Sequence, residues 1–461
     1  MSISGIIIRG TSPDAFERSV SAQLQALSGT LPGFYRLEQG NPIGVEGYTA
    51  RTHSEGWMIR LSPLNADTEC RLPVLFLQEE AATAIFLSGQ LPASLRSTPV
   101  LTLSIAIRSN GCDKEMTAGR FRILSYSPKN TKTTLVREVA LLFQQAIVAS
   151  GSGYLKTRAS LPDFQSSNSY RPTTRLRHLF EQLFTTTKWN IGIIHRPIQE
   201  IATEKGPFDV EWLSEAPGSD FKADPFGFVE DKKDKIFFEY YDAASRTGYL
   251  KTIDEKGEYK FLQSPTHLSY PYPVEINGKH YILPESAAAK STTLYAIDSH
   301  QPEAIFSMLT GEQIIDPTLF QYEGKWWLFC TKKEWQGADL RLCIYYSGSE
   351  KGPWIPHAAN PVKTDICSAR PGGTPFLLNG KLIRPAQDSS TGYGSALMLM
   401  EIIELTPTIF KEQLYRRLEP LAFSGPYTAG IHTLSSMGNK TLIDGKRRKY
   451  TLQPFLRLLV K

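Results

Sequence analysis

From Trp189 on, the chain repeats one pattern: an apolar strand, a short polar turn, and a second apolar strand that ends in polar or charged residues. The segment ADPFGFVEDKKDKIFFEYYD, from Ala223, shows it most clearly. Two runs rich in aromatic and β-branched residues on either side of a charged turn predict a β-hairpin. Four further segments share the frame: YPYPVEINGKHYILPES from Tyr270, IIDPTLFQYEGKWWLFCTK from Ile314, GGTPFLLNGKLIRPAQD from Gly372 and, more weakly, IHTLSSMGNKTLIDGKR from Ile431. Aligned on Pro225, Pro273, Pro317, Pro375 and Thr433, they are 48, 44, 58 and 58 residues apart. Repeats of that period with four-strand content predict a β-propeller, here of five blades over residues 189–461. Strand candidates at 248–253, 292–297, 339–347 and 396–405 supply the outer strands. Trp326 and Trp327 point to opposite faces of one strand, so core packing is expected for both.

The first part of the chain has a different rhythm. Residues 6–9 read as a strand, and Ser12-Pro13 as a helix start with Ser12 as N-cap. Phe16, Val20, Leu24 and Leu27 then fall on one helical face. Further strands are expected at 56–61, 72–77 and 100–107, and a helix at 136–150. Residues 151–174 are rich in Ser, Pro, Asn and Gly and read as a loop or linker. A second helix, RLRHLFEQLF, is expected at 175–184. The predicted class is α+β and multi-domain: a small α/β domain over residues 1–170, a linker helix at 171–188, and the five-bladed propeller. No GxGxxG or GxxxxGK stretch follows the first strand, so a dinucleotide or P-loop site has no support. His53, His178 and His195 are isolated and read as structural.

Composition narrows the picture a little. At 461 residues, 41% hydrophobic and 21% charged, the chain has the profile of a globular protein. The net charge of +5 favours an anionic or membrane-surface partner without requiring one. No basic run alternates with aromatics, so nucleic acid is not an expected partner. Cys70, Cys112, Cys330, Cys343 and Cys367 form no CxxC pair, which points to a reducing compartment. The short apolar run Ile6–Ile8, with no basic residues before it, reads as a strand and not as a signal peptide. A cytoplasmic location is expected, with peripheral contact at the inner face of a membrane compatible with it.

In a propeller, equivalent positions of different blades converge on the channel axis. Asp224 and Asp316 occupy equivalent positions in their repeats, so two carboxylates far apart in sequence are expected to face one pocket. Glu285, Arg384, Gln387, Asp388 and Asp444 end second strands of their hairpins and are candidates for the same mouth. Converging carboxylates suit glycosyl chemistry, in which one group moves a proton and another stabilises charge at the anomeric carbon. Arg370 and Arg384 are candidates for bidentate contact with a phosphate or carboxylate. His432 is a candidate ligand or sugar-binding donor, with a hydrogen-bonded structural histidine as the alternative. Asp-Pro is also a common turn device, and Asp444-Gly445 reads as a turn before it reads as a site. No DxD pair or His cluster calls for a metal; a divalent ion is compatible but unsupported, and no cofactor is expected beyond an activated sugar donor.

Several segments, in order, resemble the five-bladed propeller of plant glucosamine inositolphosphorylceramide transferases, and bacterial proteins in which that propeller follows a formyltransferase-like segment. They are WNIGII (189–194), ADPFGF (223–228), YPYPVEINGKHYILPES (270–286), DPTLFQYEGKWWLF (316–329), RPGGTPFLLNGKLIRPAQD (370–388) with YGSAL (393–397), and HTLSSMGNKTLIDGKR (432–447). More distantly, the ADP and IDP triplets resemble the arabinanase-like furanosidases, in which two Asp and one Glu act. That resemblance implies Asp224 as general base and Asp316 as the supporting Asp, and gives Glu285 no secure counterpart as general acid. LPGFYRLEQG (31–40) is similar only to a downstream part of formyltransferases; the Asn, His and Asp constellation is not found, which implies a degenerate domain without folate. The function implied is a glycosyltransferase of glycolipid or surface-polysaccharide synthesis, acting on a sugar or glycolipid, with catalytic Asp224, Asp316 and Glu285 and substrate-binding Arg370, Arg384, Gln387, Asp388 and His432. The alternatives are a furanoside hydrolase and a non-catalytic carbohydrate-binding or scaffold propeller.

Overall fold

The computed structural model describes residues 3–7, 13–28, 33–38, 41–44, 57–61, 74–77, 100–109, 112–122, 128–152, 180, 183–297, 302–333 and 339–451. The chain forms two compact units, Met1–His178 and Leu179–Lys461. Residues 151 and 152, which the sequence places in the linker, end a helix; the rest of the 151–174 linker and most of the 175–184 helix lie outside the described residues, as do His53 and His178.

In the first unit the described strands are β1 (Ile3–Ile7), β2 (Gly33–Glu38), β3 (Asn41–Gly44), β4 (Trp57–Arg60), β5 (Val74–Leu77), β6 (Val100–Ser109) and β7 (Cys112–Arg122), with helices α1 (Ala15–Ser28) and α2 (Pro128–Ser152). They form one mixed sheet in the order β7-β6-β5-β4-β1-β2-β3. Pairing is parallel from β2 through β1 and β4 to β5, and antiparallel elsewhere. Helix α1 opens with a capping box at Asp14, not at Ser12: the Asp14 amide donates to Glu17 Oε2 and the Glu17 amide to Asp14 Oδ1, both at 2.8 Å. Phe16, Val20 and Leu24 are buried on one face.

The second unit is built from four-stranded antiparallel sheets in a propeller-like arrangement. It opens with β8 (Thr185–Ile194), α3 (Ile198–Thr203) and β9 (Glu211–Trp212). One sheet is β10 (Phe221–Glu230), β11 (Lys233–Asp242), β12 (Thr247–Asp254) and β13 (Gly257–Leu262). The next is β14 (Ser269–Ile276), β15 (Lys279–Glu285), β16 (Thr292–Ala296) and β17 (Glu303–Met308). Then come β18 (Ile314–Tyr322), β19 (Lys325–Lys332) and β20 (Arg341–Ser347), with β21 (Ile355–Pro356) and β22 (Lys363–Asp365) each pairing with part of β20. A further sheet is β23 (Phe376–Leu378), β24 (Lys381–Asp388), β25 (Ala396–Leu405) and β26 (Phe410–Leu418). The remaining strands, β27 (Leu434–Met437) and β28 (Lys440–Tyr450), join β8 and β9 in one sheet of order β27-β28-β8-β9. Residues 185–188, which the sequence places in a linker helix, are therefore strand.

Apolar clusters lie between consecutive sheets. Phe237 and Leu250 meet Ile282 and Ile297; Leu283 meets Leu319 and Leu328; Phe329 and Ile344 meet Leu382 and Phe410; Leu399 and Ile383 meet Leu434 and Ile443; Ile191 and Leu442 meet Ile236 and Phe238. Trp326 and Trp327, both buried, enter different clusters, as neighbours on a strand must.

One local feature recurs at the start of β10, β14 and β18. Asp224, Tyr270 and Asp316 have φ of 51°, 46° and 48°. Each precedes a proline, and the ladder slips around each, between Ala223 and Phe226, Ser269 and Tyr272, and Ile315 and Thr318. This is a β-bulge whose left-handed residue is not glycine, a costly conformation that marks functional sites. It also corrects the repeat alignment. The equivalent proline of the second hairpin is Pro271, not Pro273, and the three positions are each 46 residues apart.

Candidate functional site

The bulges turn three backbone amides towards three carboxylates. The Asp224 amide donates to Asp444 Oδ2, the Tyr270 amide to Asp224 Oδ2, and the Asp316 amide to Glu285 Oε2, each at 3.2 Å. Asp224 Oδ1 also accepts the Thr433 hydroxyl at 2.9 Å. Tyr270 stands where the neighbouring repeats have aspartate; its hydroxyl pairs with Thr318 and accepts from the Gly373 amide at 3.0 Å.

Asp316 is gripped from the next sheet. Arg370 donates from Nε to Oδ2 at 2.6 Å and from Nη2 to Oδ1 at 3.2 Å, and Gln387 Nε2 adds a bond to Oδ2 at 2.7 Å. The remaining Arg370 nitrogen, Nη1, bonds Asp339 at 2.6 Å. All three guanidinium nitrogens of Arg370 therefore face carboxylates of the chain itself.

Asp224 faces His432. The imidazole Nε2 is 3.5 Å from Asp224 Oδ1, Nδ1 lies against Asp444 Oδ2, and the ring stacks on Trp189 at 4.1 Å. Asp444 Oδ1 meanwhile accepts the amides of His432 and Thr433 at 2.9 and 3.0 Å. Burial depresses the imidazole, but Asp444 and Asp224 outweigh it and raise its pKa. Burial pushes Asp224 up to about 6, with His432 working against it and Asp316 and Asp444 adding to it. Burial and the Asp316 charge likewise hold Glu285 well above the carboxylate range, although Arg370 opposes this. These are carboxyl groups in one site whose protonation the environment sets differently.

Asp224, His432 and Asp444 each place one ligand-type atom within 4.8 Å of the others. That grouping is the metal-like cluster the linear sequence does not display, because its members lie on β10, the approach to β27, and β28. Its carboxylate oxygens are, however, already occupied by amide and hydroxyl donors and by the imidazole. The donor set fits a charged hydrogen-bond network better than an ion.

Two candidates sit apart from this network. Arg384 is almost fully buried and bonds Glu412 through Nε at 2.6 Å and Nη2 at 2.8 Å, with Lys363 on the same carboxylate at 2.7 Å. Asp388 pairs with Arg417 and accepts the Ser390 amide at 2.8 Å, which shapes the loop after β24. His195, exposed, pairs with Glu211 at 2.7 Å.

The sequence reading missed Glu239 and Tyr393. Glu239 lies opposite Ala223 in the β10–β11 ladder, as Glu285 lies opposite Ser269 in the next sheet. A lone Glu in the aromatic run IFFEYYD was the available signal. Tyr393, on the loop between β24 and β25, keeps 39% of its surface exposed, with the Arg370 guanidinium 5.1 Å from its ring centre and its ring edge-on to His432.

Residues 211–418 match the family model of glucosamine inositolphosphorylceramide transferase 1, N-terminal. Over 206 residues the chain is 34% identical to glucosamine inositolphosphorylceramide transferase 1 of Oryza sativa subsp. japonica and 31% identical to that of Arabidopsis thaliana. The matched stretch is 42% of this chain but spans only 28% and 27% of those relatives. The family-model match, residues 211–418, contains Asp224, Glu239, Glu285, Asp316 and Arg370, and ends before His432 and Asp444. Among solved structures, similar chains include Zg3597, a family 117 glycoside hydrolase from Zobellia galactanivorans, at 12% identity and TM-score 0.36, covering 59% of this chain and 92% of that one. A family-43 endo-arabinanase from Bacillus licheniformis is similar at 13% identity and TM-score 0.30, covering 41% and 76%.

Proposed function

We propose that the protein is a glycosyltransferase of glycolipid or surface-polysaccharide synthesis, with its site at the mouth of the propeller channel. Counting β18–β22 as a blade, the propeller has five. The observation behind this reading is the carboxylate set itself: Asp224 raised to about 6, Glu285 pushed up by burial, and Asp316 paired on both oxygens with Arg370. In this reading Asp224 is the base that takes the proton of an incoming hydroxyl, Asp316 with Gln387 fixes charge beside the anomeric carbon, and Glu285 belongs to the acid side of the site. The exposed face of Tyr393 offers a platform for a sugar ring. Similarity to transferases over residues 211–418 favours transfer to an acceptor over transfer to water. Because the chain spans under a third of those relatives, the activity of the whole relative is not thereby assigned to the shared part. A cytoplasmic protein at the inner membrane face suits such a role, and no described helix is long and apolar enough to cross a membrane.

The test is a panel of nucleotide-sugar, sugar-phosphate and lipid-phosphate-sugar donors and aryl furanosides, offered to wild type and to Asp224→Asn, with binding followed in parallel. Turnover by wild type that Asp224→Asn lowers by about 10²-fold or more, with binding kept, supports the reading. Water as the sole acceptor makes it a hydrolase. Sugar binding without turnover in either form makes the propeller a recognition module.

A further inference from the structure

We propose that Glu239 is the proton donor of the central site and that His267 positions it. This rests on the glycosyl-transfer reading above and identifies the acid which that reading leaves unassigned between carboxyl groups.

Glu239 is 6% exposed, and among the described residues its carboxyl accepts no hydrogen bond. In the β10–β11 ladder it lies opposite Ala223, next to Asp224, and the charges of Asp224, Glu285, Asp316 and Asp444 all act on it. Burial raises it most, and each of those charges raises it further. Glu285 differs: its Oε2 accepts the Asp316 amide, and Arg370 pulls it down. The amide and the guanidinium favour the charged form of Glu285, which leaves Glu239 as the candidate donor.

The neighbour that touches it is His267, 38% exposed, with Nε2 3.5 Å from Glu239 Oε1. The tautomer of His267 follows from its other nitrogen. Nδ1 accepts the Gly248 amide at 2.8 Å, so the proton of the neutral ring is on Nε2 and points at Glu239. Burial lowers the imidazole, and Lys333 lowers it further, which keeps it neutral; the Tyr241 ring packs at 6.4 Å. With Oε1 facing an N–H, the acidic hydrogen of Glu239 belongs on Oε2. The contact depends on a glycine. A Cβ at Gly248 would lie 2.7 Å from Glu239 Oε1, from His267 Cε1 and from the Leu268 carbonyl oxygen alike.

The step balances as follows. The bond from the anomeric carbon to the leaving oxygen breaks, its electron pair stays on that oxygen, and the Glu239 O–H supplies the proton. The acceptor oxygen forms the new bond and gives its proton to Asp224. Glu239 ends ionised and Asp224 protonated, and exchange with solvent restores both.

Two measurements on the full chain test this. Carboxyl carbon NMR of Glu239 is expected to show the protonated form at pH 7; titration near the ordinary value of about 4.3 overturns the assignment whatever the enzyme does. In kinetics, Glu239→Gln is expected to lose about 10²–10⁴-fold with a basic leaving group and to stay within about threefold of wild type with a leaving group that needs no proton. Equal losses with both, or none, overturn it while leaving the transfer reading intact. A wild type without turnover removes both together. His267→Ala is expected to lower kcat at constant KM, with recovery in His267→Gln, whose amide keeps an N–H; an unchanged kcat in His267→Ala ends the positioning role.

Discussion

At the scale of single residues, Asp224 combines opposing demands. Its carboxylate accepts the Thr433 hydroxyl and the Tyr270 amide, but its surroundings disfavour its charge enough to raise its pKa from 3.8 to about 6. An acid whose folded value lies above its unfolded one costs stability when both states are ionised, and costs nothing when both are protonated. The cost is therefore present at neutral pH and disappears as pH falls through about 6 towards 3.8. That rise corresponds to about 3 kcal/mol. Asp224→Asn removes it and gives up part of the bonding to Tyr270 and Thr433. Calorimetry is expected to show the variant at least as stable as wild type at pH 7.5, with the advantage shrinking as pH falls towards 4. A variant less stable at neutral pH than at acid pH, relative to wild type, would mean that Asp224 is a structural carboxylate. His432 has the opposite sign: its raised value contributes stability below about 6.5 that is lost as pH rises through the folded value.

At the scale of the element, the hairpins were legible and their register was not. Apolar runs on either side of Asn-Gly-Lys or Glu-Gly-Lys turns locate β14–β15, β18–β19 and β23–β24, because the turn chemistry and the two-residue period are local. The bulge is not local. Aligning YPYPV on Pro273 misses that Tyr270-Pro271 takes the place of Asp-Pro, since only the ladder slip between Ser269 and Tyr272 shows it. The same slip makes Glu239 the counterpart of Glu285. The outermost strands β13, β17 and β26 were also missed: GEYKFL, EAIFSM and FKEQLYRRL are too polar for an apolar-run search. Asp444 and His432 were seen singly, and their meeting with Asp224 is a product of the ring. Gly373 shows how tightly neighbouring sheets approach there. Its φ is 140°, and a Cβ would fall 1.8 Å from the Leu434 carbonyl oxygen. Backbone cannot yield as a flexible side chain does, and the Gly373 amide also holds the Tyr270 hydroxyl. Gly373→Ala is expected to cost about 3–5 kcal/mol in urea unfolding; Gly380→Ala, with a left-handed φ of 78° but open space around its Cβ, separates strain from collision and is expected to cost about 1 kcal/mol.

At the scale of the second unit, the ring is held shut by two distant parts of the chain. β8 pairs with β28 over ten positions, from Thr441↔Ile194 to Tyr450↔Thr185, and β9 continues the sheet. Without β8, β28 loses its neighbour and presents an open ladder, the usual route to aggregation. Ile191 and Ile194 leave the clusters on either side, and Trp189 leaves the face of His432. A closure that joins residue 185 to residue 450 has no local signature, and the polar TTTK that begins β8 hides even the strand. A fragment of residues 183–451 is expected to melt in one cooperative transition, whereas residues 197–451 are expected to aggregate or to melt without cooperativity. A synthetic peptide of residues 183–196 added to the shorter fragment is expected to restore the transition by adding the missing strand. Equal melting of the two fragments would show that the sheets hold together without β8, and that the contact of His432 with Asp224 does not need the chain to be closed by its own first strand.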